Sequence, residues 1–250
     1  MKPAVSFNWS SPLVSWKQIP SGDGLKQIEN DLVTEKLRLC FGHHFIKVGG
    51  LAAELNCSES LINHQINLLR QKEEHTAAGI VAEYDDLPLQ NNSVDLILLS
   101  HILEYSGDPH QVLREAHRVV VPNGHIILTL FNPISTLTPT KLWPFKNNAN
   151  FWQFRLFTIS RVKDWLNLLG FEVNDIEYGA YASVSSGTSE YKQGRWAKFK
   201  QRFFPTTGAI CVISAKKREW PLTPIRPRVR YKTRFSPAIS GANKSFFKQQ

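Results

Sequence analysis

The spacing of apolar residues changes several times along the chain, and each change predicts an element. Between Ser21 and Leu39, Leu25, Ile28, Leu32 and Leu39 recur near helical spacing, with Lys36 and Arg38 in the last turn. This predicts an amphipathic helix lying across a sheet. Phe41-Gly42 closes it, and Phe45-Ile46-Lys47-Val48 reads as the first core strand. After Gly49-Gly50, Leu51 to Leu55 leaves room for a short helix at most. Leu61 to Leu69 fits either a strand or a helix, with Ile62, His64, Ile66 and Leu68 in alternation. Gly79 to Ala82 predicts a strand, Asp86-Leu87-Pro88 a turn, and Val94 to Leu99 a strand whose unbroken apolar run suits a parallel sheet covered on both faces.

Asp108-Pro109 opens a helix with a capping residue and a proline at its first position, and Val112, Leu113, Ala116 and Val119 form its buried face. Pro122-Asn123-Gly124 is expected to end it before a strand from His125 to Leu130. A helix from Thr158 to Leu169 stops at Gly170, and Phe171 to Tyr178 and Ala209 to Ala215 read as two later strands. Such alternation implies βαβ units around a largely parallel sheet, an α/β fold. Ligands of such sheets sit beyond the carboxyl ends of the strands. Gly49-Gly50, Glu83-Tyr84-Asp85, Ser100-His101 and Asn132-Pro133 are therefore expected around one crevice.

A chain of 250 residues with 42% hydrophobic content accommodates one sizeable domain with appendages. No apolar run reaches the roughly 20 residues that a membrane span requires, and no basic and apolar leader opens the chain, so the cytoplasm is the expected location. Cys40, Cys57 and Cys211 are far apart and lack metal-ligand spacing, as do His43-His44 and His110. Buried thiols and no metal are expected. The net charge of +9 is unevenly distributed: residues 216–250 hold 10 of the 30 basic and 1 of the 21 acidic residues. This basic, proline-rich end suits an extended tail with an anionic partner, RNA or a membrane surface, or no specific partner. The expected organisation is an N-terminal extension and helix over 1–40, a main domain over 41–216 and a tail over 217–250. An inserted cover or lid lies at 180–205, where Trp196, Phe199 and Phe203 line one helical face and Lys192, Arg195, Lys198, Lys200 and Arg202 lie largely opposite.

The run from Asp86-Leu87-Pro88 through Val94-Asp95-Leu96-Ile97-Leu98-Leu99-Ser100-His101-Ile102-Leu103-Glu104, then Asp108-Pro109 and Leu113-Arg114-Glu115-Ala116-His117-Arg118-Val119 to Pro122-Asn123-Gly124-His125, resembles class I S-adenosylmethionine (SAM) dependent methyltransferases of the type 11 group. Phe131-Asn132-Pro133-Ile134-Ser135, Asp164 to Val173, Phe204-Pro205-Thr206-Thr207-Gly208-Ala209 and Thr223-Pro224-Ile225-Arg226-Pro227 are similar to its proteobacterial YafS-like subgroup. The resemblance covers most of residues 16–230. It implies a seven-stranded Rossmann-like fold with antiparallel last strands, SAM as cofactor, and an acceptor that the family leaves undefined.

It further implies that Gly49, beside Gly50, is the first glycine of the SAM loop. Glu83 would open the loop along adenine with the Tyr84 NH as donor, and Ser100-His101 would flank the transferable methyl. The chain departs from the pattern where Lys47 replaces an acidic residue and where Leu51 and Ala53 replace glycines. Only 33 positions separate Val48 from Val81, a shortened passage for two crossovers. Glu73 and Glu74 are the candidates for the ribose-gripping acid if His64 to Leu69 is the second strand. His101 is the candidate base, although a histidine at this place is more often a helix-entry or ring-packing residue that positions its loop. Asn132 either orients the acceptor, a small molecule or RNA, or makes an ordinary Asn-Pro turn. Two readings follow: a SAM-dependent methyltransferase, or a catalytically inactive binding or scaffold protein of the same fold that contacts RNA through its tail. An open crevice beside Gly49 and Glu83 favours the first; Leu51 or Lys47 filling it favours the second.

Overall fold

The computed structural model describes residues 12–19, 22–71, 79–135, 154–181 and 204–219, all within the unit Met1–Glu219. Its seven strands are β1 (His44–Val48), β2 (His64–Leu69), β3 (Gly79–Val81), β4 (Val94–Ser100), β5 (Val120–Phe131), β6 (Phe171–Gly179) and β7 (Ile210–Lys217). They form one sheet in the order β3-β2-β1-β4-β5-β7-β6. Strands β1 to β5 pair in parallel, and β7 pairs antiparallel with both β5 and β6. The strand order reverses between β1 and β4, so the carboxyl ends of these two strands mark the switch point where ligands enter such sheets.

The described helices are α1 (Gly22–Leu37), α2 (Gly50–Ala53), α3 (Ile102–Tyr105), α4 (Pro109–Val119) and α5 (Ile159–Leu168). One face of the sheet packs on α4 and α5 through Ile97, Leu99, Leu113, Ala116, Val162 and Leu166. The other packs on α1, α2 and the turn at Trp16–Gln18 through Trp16, Leu25, Val33, Phe45 and Leu98. Both faces of β4 are thus covered, as its continuous apolar run requires.

Three local readings are corrected. The buried row of α1 is Leu25, Glu29, Val33 and Leu37, with Lys36 beside it, whereas Leu39 is 71% exposed beyond the helix end. Spacing of apolar residues alone excluded Glu29 and Lys36, although both lie on the inward face, Glu29 against the buried Ser100, His101 and Thr129 and Lys36 against Asp175 and Glu177 of β6. Helix α4 stops at Val119 because Val120 is already paired with Val94; the chain then bulges through Asn123 at φ 65° before register resumes at His125. Strand β7 continues through Lys217, whose ammonium is buried and donates to Asn92 Oδ1 and to the His117 and Val120 carbonyls, so the sheet reaches into the segment expected to be tail.

The shortening between β1 and β3 has a concrete form. Helix α2, the crossover after β1, is a single four-residue turn, and only residues 70–78 separate β2 from β3. The proposed cover helix with Trp196, Phe199 and Phe203, and the acids Glu73 and Glu74, lie outside the described residues. Among the described residues no helix is long and apolar enough to cross a membrane.

Candidate functional site

A cavity of about 330 Å³ opens at the carboxyl edge of the sheet, lined by Gly50, Arg70, Gln71, Glu83 and Tyr84 and walled by Pro12, Leu13 and Val14. Its size lies at the lower end of the range for small-molecule sites. Gly50 opens α2 directly after β1. A Cβ there would lie 2.2 Å from the Val14 carbonyl oxygen, so glycine lets the N-terminal segment cross the loop. Gly49 has φ 95°, a conformation natural to glycine, and its absent side chain makes room for Ile102. The segment is anchored by Trp16, whose buried indole Nε1 donates to the Leu51 carbonyl at 3.1 Å.

Glu83 and Tyr84 follow β3, and helix α4 fixes the loop that continues from them. Glu115 accepts from the Leu87 NH, while Arg118 donates to the Leu87 and Leu89 carbonyls and to Glu115. Glu115 is held below the usual carboxylate range, chiefly by its bond from Arg118. At the cavity rim the Arg70 guanidinium, just beyond β2, pairs with Glu83 at 2.9 Å.

Neither of the two side chains that the sequence marked as obstructions enters the cavity. Leu51, placed where a glycine was expected, buries its side chain in the core under α1, and neither it nor Lys47 lines the cavity. Gly50 lines the cavity where Val14 crosses it, and the Glu83 carboxylate lines it as well.

Of the four strand-end loops expected around one crevice, only Gly50 and Glu83-Tyr84 line it, whereas Ser100-His101 and Asn132 are turned into the protein. His101 is 1% exposed, in the left-handed region at φ 55°, and both ring nitrogens face carboxylates. Nε2 lies 2.9 Å from Glu29 and Nδ1 2.9 Å from Glu104. Glu29 also accepts from the Ser100 and Thr129 hydroxyls at 2.7 and 2.8 Å, and Glu104 accepts from the Phe131 NH. The imidazole stacks on Phe131 with centroids 3.9 Å apart, and Trp16 meets it edge-on. Burial alone would lower its pKa, but Glu104 and Glu29 outweigh that and raise it to about 10, so the ring is an imidazolium at neutral pH. Burial holds Glu104 above the ordinary carboxylate range despite its cationic neighbour. Glu29 is the partner that sequence reading missed. Its place in the i, i+4 row Leu25-Glu29-Val33 is the signal that could have found it.

Asn132 donates to the Thr206 and Gly208 carbonyls and accepts from the Ile134 NH, tying the loop after β5 to the entry of β7. All three cysteines are buried and unpaired, and burial raises Cys40 and Cys57 to about 11. Among the described residues no three His, Cys, Asp or Glu side chains converge as a metal site.

A family profile described as a methyltransferase domain matches residues 51–128. Over 208 residues the chain is 34% identical to YafS of Escherichia coli K12, an uncharacterized protein, covering 83% of this chain and 82% of that one. It is 29% identical over 108 residues to demethylmenaquinone methyltransferase of Chlamydia pneumoniae, covering 42% and 47% of the two chains. A solved SAM-dependent methyltransferase from Thermotoga maritima shares the fold at a TM-score of 0.54 and 17% identity, over 78% of this chain and 91% of that one.

Proposed function

The chain belongs to the class I SAM-dependent methyltransferases, and within that family we propose that its cavity at Gly50, Glu83 and Tyr84 is the cofactor site of an enzyme that methylates an acceptor arriving at the switch point. The observation that carries this reading is the open cavity at the carboxyl edge, lined by the Gly50 loop after β1 and by Glu83 and Tyr84 after β3. When bound, SAM supplies an electrophilic methyl on a sulfonium.

The chain's own residues align and exclude. Gly50 contributes backbone to the cavity lining, while the room beside it and beside Gly49 is taken by Val14 and Ile102. Glu83 and the Tyr84 NH hold the nucleoside side, and Pro12 to Val14 exclude water from the opposite wall. Ser100 and His101 act behind this surface: the imidazolium clamps the end of β4 between Glu29 and Glu104, and in that state it has no lone pair to accept a proton. His101 is therefore a positioning residue, and the acceptor's proton leaves by another route. Asn132 serves the same framework by fixing the loop after β5.

Calorimetric titration with S-adenosylhomocysteine (SAH) tests the reading. Gln71 lines the cavity and is exposed, so Gln71→Trp fills the space without touching either core. Micromolar binding by the wild type that Gln71→Trp abolishes supports the reading. A folded wild type that gives no heat overturns it.

A further inference from the structure

We propose that Glu83, held in place by Arg70, is the carboxylate that receives the ribose hydroxyls of the nucleoside, so that the ribose grip has moved one strand outward, from the end of β2 to the end of β3. The inference deepens the cofactor reading and rests on it. In βαβ nucleotide sites the acid that binds ribose hydroxyls sits roughly 20 residues beyond the glycine loop, at the end of the second strand. Here that stretch ends in Leu69, with Arg70 and Gln71 directly after it. A leucine and an arginine side chain cannot accept bonds from a diol, and the Gln71 amide offers one neutral oxygen, a weaker acceptor than the Glu83 carboxylate. Strand β3 runs parallel beside β2, its end fixed by the Ala82 NH to the Leu69 carbonyl, and it delivers Glu83 to the same rim.

Arg70 and Glu83 both line the cavity. The single Arg70 Nε–H faces both carboxylate oxygens, at 3.1 and 2.9 Å. A carboxylate offers about four lone-pair positions, so this one donor leaves acceptors for two hydroxyls. The guanidinium orients the carboxylate and balances its charge when a ligand covers the rim.

The test measures SAH and its 2′-deoxy analogue by calorimetry on the full chain. The wild type is expected to prefer SAH by about 10- to 100-fold, the effect of one hydrogen bond to a charged group. Glu83→Gln should lose this preference, and Arg70→Met should reduce it several-fold, a change in discrimination that loss of packing alone would not produce. Three results overturn the assignment while leaving the cofactor reading intact: unchanged preference in Glu83→Gln; preference lost instead in a Glu73→Gln, Glu74→Gln double variant; or Arg70-dependent displacement of SAH by adenosine 2′-monophosphate, which would make Arg70 a phosphate reader. Absence of SAH binding by the wild type overturns both proposals together.

Discussion

At the scale of residues, His101 is held between two carboxylates and two aromatic rings, and its protonation has a definite thermodynamic sign. Its folded pKa of about 10 lies above the ordinary histidine value near 6.5, so its stabilising contribution is complete below the ordinary value. That contribution drains away as pH rises through 10. The melting temperature of the wild type should therefore fall between about pH 7 and 10 more steeply than that of His101→Gln, as followed by calorimetry across that window. Equal slopes would show that the ring is neutral in the folded protein. Glu29→Leu leaves the imidazolium, Ser100 and Thr129 without their shared acceptor. Removing one partner of a buried ion pair costs about 3–5 kcal/mol, which for a unit of this size lowers the melting temperature by roughly 10 °C. A loss within a degree or two would mean that Glu29 contributes nothing to the clamp.

At the scale of elements, what the sequence made legible was what depends on neighbours in the chain. Helix α4 was readable from Asp108, Pro109 and its apolar stripe because a cap and a helical period are both local. Asp108 accepts from the Gln111 NH at 3.0 Å, so Asp108→Ala should cost about 1 kcal/mol and lower the melting temperature by roughly 2–4 °C. An unchanged melting temperature would mean that Pro109 alone fixes the start. Strand β4 was readable for the same reason, from its length and unbroken apolarity. Glu29 was not, because its burial depends on Ser100, His101 and Thr129, which are 71 to 100 residues away. The packing role of His101 was open to sequence reading, but its partners were not: its position marks a strand end, while Glu29 and Trp16, far away in the chain, decide which way the ring faces. The loop glycines carried a double meaning. Leu51 and Ala53 read as erosion of a cofactor loop, yet Leu51 faces the core, and Gly50 is needed for the crossing of Val14. Gly50→Ala should accordingly detach residues 12–19, seen as faster amide exchange there, with the sheet strands unchanged; uniform protection would show that the crossing tolerates a methyl group.

At the scale of the whole molecule, charge and core are carried by different parts of the sequence. Both hydrophobic clusters are composed of residues before Glu219, and the cavity lies among them. Residues 220–250 contain seven of the 30 basic residues and no acidic one, so ending the chain at Glu219 lowers the net charge from +9 to about +2, counted as in the whole chain. A polyanion such as single-stranded RNA gains binding from counterions released at each neutralised phosphate, at about 0.7 log units of affinity per log unit of salt for each contact. With seven charges available, the wild type should bind RNA with a salt slope of at most about 5, and the shortened chain should lose nearly all of that slope. SAH affinity should be the same in both, because the cavity draws no residue from beyond Gln71, Glu83 and Tyr84 on its nucleoside side. Salt-titrated fluorescence anisotropy and calorimetry measure the two quantities separately. RNA affinity unchanged by the truncation would place the nucleic-acid surface on the sheet-bearing unit. A shared loss of both activities would instead make the basic end part of the cofactor site, and the separation of charge from chemistry argued here would fail.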